Sequence, residues 1–290
     1  MKDYAMKIGK KNIGGDSPCY IVAELGINHN GDLNITKQLI DVAVKAGCDA
    51  VKFQKRTMEV VYTPEELARP RPNPFGNTNG DLKRGLEFDF EDYKEIFSYC
   101  KRHNIDCFAS TWDETSVDFV EQFAPPCYKI PSPMLTNDCL LKYCGQTERP
   151  LILSTGMSTL EQIRHAVEVL DYSNLTLLHC KSIYPCPLEQ VNLKVIQTLK
   201  TVFPYPVGYS GHELGIWASL AAVALGSAMV ERHVTLSRQM WGTDQAVSLE
   251  PDELYQMVQA IRAVETAMGT GEITILPNEM AALEKLRRFT

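Results

Sequence analysis

No stretch of this chain reaches the roughly 18 consecutive apolar residues of a membrane span, so no membrane partner is expected. The N-terminus, Met1-Lys2-Asp3-Tyr4, lacks the apolar segment of a secretory signal. Basic residues are in deficit: 29 Lys and Arg against 36 Asp and Glu leave a net charge of −7, which argues against a nucleic-acid partner. Nine cysteines are present, but the number is odd and no Cys-x-x-Cys occurs. Cys48, Cys100, Cys107, Cys127 and Cys180 lie in apolar runs and read as reduced, buried thiols of a cytoplasmic protein. Their spacing does not suit a zinc site. No Gly-x-x-x-x-Gly-Lys-Ser/Thr phosphate loop occurs, and Gly269-Thr270-Gly271 reads as a helix-ending turn. No Gly-x-Ser-x-Gly elbow occurs either; Ser154-Thr155-Gly156-Met157-Ser158 approaches it only loosely. Internal repeats and low-complexity tracts are also missing.

What the 290 residues do contain is a regular alternation of short apolar runs and amphipathic segments. Strands are expected over Tyr20–Glu24, Ala50–Gln54, Asp106–Ser110, Tyr128–Pro131, Leu151–Ser154, Leu175–Cys180, Val207–Ser210 and Met229–Val234. Helical spacing falls between them, over Ile35–Ala46, Phe90–His103, Ser116–Phe123, Leu160–Leu170, Leu193–Thr201, Ile216–Leu225 and Pro251–Met268. Gly47 supplies a stop for the first helix, and Asp252 or Ser248 a cap for the last. A further helix-like tail is expected from Asn278 to Phe289. Strands of a parallel sheet are covered on both faces and read as near-continuous apolar runs, as Leu175–Cys180 does. Eight such strands alternating with helices predict an α/β fold, a closed (β/α)8 barrel forming a single domain over residues 19–290. Residues 1–18 stand apart, with Met6–Ile8 and Asn12–Gly15 expected to form a hairpin under the barrel floor. The connection Lys55–Phe88, rich in Pro and Gly, is too long for an ordinary loop and is expected at the catalytic rim.

Chemistry in such a barrel belongs at the C-terminal ends of the strands. Val207-Gly208-Tyr209-Ser210-Gly211-His212 and Val230-Glu231-Arg232-His233 each run out to a histidine. Side chains alternate along a strand, so Ser210 shares a face with His212, and Glu231 with His233. On neighbouring strands the two imidazoles converge. Two histidines are few for a structural zinc; they suit an octahedral Mn2+ or Mg2+ completed by water and substrate oxygens. The other strand ends add Glu24, Lys52, Gln54, Ser110, Thr111, Lys129, Ser132, Ser154, Ser182, Tyr184 and Asp244. Taken singly these have structural readings: a lysine can be half of a buried ion pair, and a strand-end Ser or Thr can cap the next helix. Together, two ammonium groups, several hydroxyls and two imidazoles describe a site for a dianion and a metal. Burying Lys52 and Lys129 without an anion is costly.

The runs Ala23-Glu24-Leu25-Gly26-Ile27-Asn28-His29-Asn30-Gly31, Val51-Lys52-Phe53-Gln54, Tyr128-Lys129-Ile130-Pro131-Ser132, Leu153-Ser154-Thr155-Gly156-Met157, His179-Cys180-Lys181-Ser182-Ile183-Tyr184-Pro185, Gly208-Tyr209-Ser210-Gly211-His212-Glu213 and Glu231-Arg232-His233-Val234-Thr235 resemble those of the sialic acid synthase family. The resemblance covers about Ile21 to Phe289. It implies a homodimeric barrel enzyme that condenses phosphoenolpyruvate with the open-chain aldehyde of an N-acylated hexosamine, such as N-acetylmannosamine. The products would be a nine-carbon 2-keto sugar acid and phosphate. Carried over residue by residue, it implies His212 and His233 as ligands of a divalent metal. Lys52, Thr111, Lys129, Ser132, Ser154, Ser182 and Ser210 would cradle phosphoenolpyruvate. Glu24 would stand at the reacting centre with Lys129 and His233, and Gln54, Tyr184 and Asp244 would complete the substrate contacts. The chain departs from the family pattern at Lys181-Ser182 and at Pro131 and Pro133. Many members continue into a small antifreeze-like domain; these residues are expected to hold the barrel without it. Synthases of legionaminic or pseudaminic acid fit the same motifs. A 3-deoxy-keto-acid phosphate synthase fits them less well, because of the Glu-Leu-Gly-Ile-Asn-His-Asn-Gly run. A catalytically idle sugar-binding barrel is the remaining alternative.

Overall fold

The computed structural model describes residues 6–172 and 174–289. Eight parallel strands close into a barrel: β1 (Tyr20–Glu24), β2 (Ala50–Lys55), β3 (Asp106–Thr111), β4 (Tyr128–Ile130), β5 (Leu151–Ser154), β6 (Leu175–Cys180), β7 (Val207–Gly211) and β8 (Met229–His233). Each strand pairs with the next in sequence, and β8 closes on β1, with His233 opposite Glu24 and Arg232 opposite Ala23. Every expected strand is present, with its ends shifted by one residue at most.

The connecting helices obey local capping chemistry. In Leu33–Ala46 the Asp32 carboxylate accepts from the Asn34 and Ile35 amides, and Gly47 ends the helix at φ 88°. That left-handed conformation favours glycine because it has no Cβ. Thr159 and Gln162 form a reciprocal box at the start of Leu160–Leu170. The final long helix, Pro251–Met268, is not capped by Asp252 or Ser248 as expected. Glu250 holds the cap position, and the Glu253 carboxylate accepts from its amide. A helix over Asp138–Gly145, capped by Asn137, was not anticipated.

Two apolar layers hold the barrel. Outward strand residues such as Ile21, Val51, Ile130, Leu153 and Val230 pack against the helices. Inward ones fill the floor: Tyr20, Val22, Ala50, Phe108, Cys127, Ile152, Leu178 and Met229. The expected hairpin is there, with Met6–Ile8 antiparallel to Lys11–Ile13. Met6, Ile8 and Ile13 join the floor layer and plug the barrel from below.

The Lys55–Phe88 connection is built, not loose. It contains short helices over Met58–Val61 and Pro64–Ala68, a hairpin of Pro70–Asn73 with Gly76–Thr78, and a helix over Asn79–Gly85. Its base is clamped by Arg56 Nε donating to Glu87 Oε1 at 2.9 Å and Lys55 Nζ to the Phe88 carbonyl at 2.9 Å. Its tip reaches across the rim, where the Phe75 ring lies 6.3 Å from Trp241. At the other end of the chain, the helix Met280–Leu286 has no buried residue. No helix among the described residues is long and apolar enough to cross a membrane.

Candidate active site

The barrel interior changes character at one level. Moving up two residues on each strand turns the apolar floor polar, because period-two alternation keeps the same face. Val22 gives way to Glu24, Ala50 to Lys52, Phe108 to Ser110, Cys127 to Lys129, Ile152 to Ser154, Leu178 to Cys180, Gly208 to Ser210 and Met229 to Glu231. All eight of these upper residues are buried.

Six of them, Glu24, Lys52, Ser110, Lys129, Ser210 and Glu231, form one ionic chain. Lys129 Nζ donates to both oxygens of Glu231, at 3.0 and 2.9 Å, from the opposite side of the barrel. Ser210 Oγ donates to Glu231 Oε1 at 3.0 Å, and Lys52 Nζ stands 3.4 Å from the same oxygen. Lys52 also contacts Glu24 and donates to Ser110 Oγ at 2.8 Å. Both lysines therefore already have carboxylate partners, which the sequence reading had not supplied. The missed residue is Glu231, although its shared face with His233 had marked it.

Burial decides how these charges sit. It pushes the Glu24 carboxyl up to about 7; Lys52 opposes the rise and Glu231 adds to it. Burial also works against the Lys52 ammonium, but Glu231 and Glu24 outweigh it and raise the group to about 12. Glu231 keeps its charge against burial because Lys129 and Lys52 hold it well below the usual carboxylate range. Lys129 is lowered, chiefly by burial. Glu24 is thus the member of the chain poised to take or give a proton near neutrality. Its Oε1 receives no hydrogen bond.

Above this chain sit the histidines, with ring centroids 5.4 Å apart. His212 Nδ1 lies 2.8 Å from the Lys181 carbonyl. A carbonyl only accepts, so Nδ1 carries the proton and Nε2 keeps its lone pair. Burial holds His212 at about 3, helped by His233, and holds His233 at about 3, helped by Lys52. Both rings are neutral, the form that ligates metals. His233 Nδ1 is buried without a hydrogen-bond partner, and Asp244 Oδ2 stands 3.9 Å from it. The Tyr184 ring packs 4.1 Å from His212. Among the described residues no group of three or more His, Cys, Asp or Glu could hold an ion by itself. A divalent ion at these two imidazoles would need the rest of its coordination from water or substrate oxygens.

A second cluster faces the same space. The Gly156 amide donates to Ser132 Oγ at 3.1 Å. A Cβ placed on Gly156 would come within 2.6 Å of Ser182 Oγ and 2.7 Å of Ser132 Oγ. Ser132, Gly156 and Ser182 so enclose a small cradle, with Ser154 at the end of β5, two residues before Gly156. Gln54 lies beside this centre and donates to the Gly26 carbonyl at 3.1 Å, steadying the turn after β1.

Thr111 is not part of the interior group. It follows Ser110 on β3 and so points to the helix layer, where its hydroxyl meets the Cys144 thiol. Ser110 takes the interior position and bonds Lys52. The structure brings together Glu24, Lys52, Gln54, Lys129, Ser132, Ser154, Ser182, Ser210, His212, His233, Tyr184 and Asp244 at one rim, and adds Glu231.

The family model of the NeuB family matches residues 39–273. The chain belongs to the NeuB family. It is 40% identical over 279 residues to the N-acetylneuraminate-9-phosphate synthase of Homo sapiens, covering 94% of this chain and 78% of that one. It is 38% identical over 290 residues to the N,N'-diacetyllegionaminic acid synthase of Legionella pneumophila, covering 97% and 82%. A solved structure of an N-acetylneuraminic acid synthetase from Leptospira borgpetersenii superposes with a TM-score of 0.84 at 32% identity, covering 98% of both chains. The enzyme class expected from the motifs, a condensing synthase, holds for this NeuB-family chain.

Proposed function

We propose that the protein condenses phosphoenolpyruvate with the aldehyde of an N-acylated hexosamine, giving a nine-carbon 2-keto sugar acid and phosphate. The observation that carries this reading is the buried Glu24–Lys52–Glu231–Lys129 chain lying directly beneath the His212/His233 pair. It offers cationic groups and a near-neutral carboxyl within one water-poor pocket. The Ser132, Gly156 and Ser182 cradle suits the phosphate, and Lys129 and Lys52 suit the neighbouring negative charge. The lysines reach it only by sharing their existing carboxylates. A protonated Glu24 leaves Lys52 for the incoming anion, and entry of that anion favours the protonated form.

Carbon 3 of phosphoenolpyruvate attacks the aldehyde carbon, and the new alkoxide takes a proton, which the near-neutral Glu24 carboxyl supplies. Positive charge then develops at carbon 2, where the ionised Glu231 and, after proton loss, Glu24 steady it. Water adds at carbon 2, giving a proton back to the Glu24 carboxylate, and the tetrahedral adduct collapses to the ketone as phosphate leaves with the hydroxyl proton. The lysines and serines hold the reactants in register throughout. A divalent metal, Mn2+ or Mg2+, held by His212 and His233 would supply Lewis-acid polarisation of the aldehyde oxygen. Tyr184, Asp244 and Gln54 line the side from which the sugar enters.

An acceptor screen tests the reading. Phosphoenolpyruvate is offered with N-acetylmannosamine, its 6-phosphate and the diacetylated amino sugars that lead to legionaminic and pseudaminic acids, and products are weighed by mass spectrometry. A product heavier than the sugar by one pyruvate unit supports condensation and names the acceptor. Consumption of phosphoenolpyruvate with no such product from any of them contradicts it.

A further inference from the structure

Directly behind the histidines, on the helix side of the same two strands, lies a second buried charge pair. Arg232 precedes His233 on β8, and Glu213 follows His212 beyond the end of β7. Both are fully buried, and both point away from the barrel interior, opposite to the imidazoles. Arg232 Nη1 donates to Glu213 Oε1 at 2.8 Å, to the Gly215 carbonyl at 2.9 Å and to Ser219 Oγ at 2.9 Å. Its Nη2 donates to the Glu213 carbonyl at 2.6 Å. The other carboxylate oxygen, Glu213 Oε2, accepts from the Tyr209 hydroxyl at 2.5 Å.

Space behind the strand is filled by this arrangement. A Cβ on Gly211 would lie 2.7 Å from Glu213 Oε2 and 2.7 Å from the Tyr209 ring. Gly211 pairs with Arg232 across the ladder. The guanidinium therefore grips the chain at Glu213 and Gly215, just after His212, while its own backbone sits immediately before His233. On the far side, the Cys186 amide donates to the His212 carbonyl at 3.0 Å. His212 has one fixed neighbour on each flank.

We propose that the Tyr209–Glu213–Arg232 cluster is a positioning device that sets the separation and tilt of the His212 and His233 imidazoles. It acts through the backbone and touches neither substrate nor metal. The proposal rests on the reading of the two histidines as metal ligands. A buried ion pair is poor evidence of stabilisation, because apolar residues of similar volume are often as stable in its place. That property separates a positioning role from a structural one.

The test is the charge-free double variant Glu213→Leu with Arg232→Met, studied by Mn2+ binding in electron paramagnetic resonance and by thermal melting. The positioning role predicts a melting temperature close to that of the unsubstituted protein and Mn2+ affinity at least tenfold weaker. A folded double variant with undiminished Mn2+ affinity overturns it. If the double variant does not fold, Tyr209→Phe decides, since it removes a single hydroxyl. About threefold weaker Mn2+ binding supports the proposal, and unchanged binding overturns it. His212→Ala is the control for the underlying reading: Mn2+ binding that survives this change removes the metal from the histidines. In that case the ring 15N signals of His212 take over. Loss of the Nδ1–H tautomer in the variants still supports positioning, and an unchanged tautomer overturns it.

Discussion

At the scale of single residues, the account turns on which charges are already neutralised. The sequence puts Lys52 and Lys129 on inward faces and makes a bound anion the natural partner. Their protein partners were harder to see. Lys129 and Glu231 are 102 residues apart, and only closure of the barrel brings β4 and β8 face to face. Parity also explains why Ser110, and not the expected Thr111, takes the interior position: one residue along a strand reverses the side chain. Two predictions belong here. Glu24→Gln keeps shape but can no longer supply or take a proton, so turnover falls at least a hundredfold while phosphoenolpyruvate still binds in calorimetry; near-normal turnover would demote Glu24 to a scaffold carboxyl. Lys129→Met removes charge-assisted bonds worth ~1.5–3 kcal/mol and weakens phosphoenolpyruvate binding at least tenfold. Unchanged affinity would mean that Lys129 serves only to neutralise Glu231.

At the scale of elements, the strands were legible because a parallel barrel buries both faces of each and leaves apolar runs such as Leu175–Cys180. Helices with strong caps were legible too. Asp138–Gly145 was not, because two turns between Pro133 and Pro150 leave too little periodicity, although Asn137 marks its start. The fold of the 55–88 connection was hidden for a different reason. Its order depends on contacts across sequence, such as Arg56 with Glu87 and Phe75 with Trp241. The turn after β5 yields the element-scale prediction. Gly156→Ala drives a methyl group between Ser132 Oγ and Ser182 Oγ, into the space assigned to phosphate. Titration should show phosphoenolpyruvate affinity reduced tenfold or more, with the melting temperature changed by only a few degrees. Full affinity in this variant would place the phosphate elsewhere.

At the scale of the whole molecule, the barrel stacks an apolar floor, a charged middle and a histidine rim in one tube. Outside that tube, in the layer between strands and helices, a further neutral imidazole is buried, with consequences for acid stability. His29 is buried between Phe53 and Phe88, and burial, aided by Arg56, holds it at about 3 against an ordinary 6.5. A folded-state value below the unfolded one means the fold binds fewer protons. The stabilising contribution is complete above about 6.5 and is lost as pH falls from there toward 3. Urea titrations should show His29→Gln losing about 1 kcal/mol less than the unsubstituted protein between pH 7.5 and 5.5. Equal slopes would mean that His29 is protonated in the fold. Phosphate release tests the condensation most directly. Phosphoenolpyruvate and Mn2+ are supplied with N-acylated hexosamines, with arabinose 5-phosphate or with no sugar. The account predicts phosphate release, matched mole for mole by 2-keto acid, only with an N-acylated hexosamine. Release with arabinose 5-phosphate alone, or with none of the sugars offered, contradicts it.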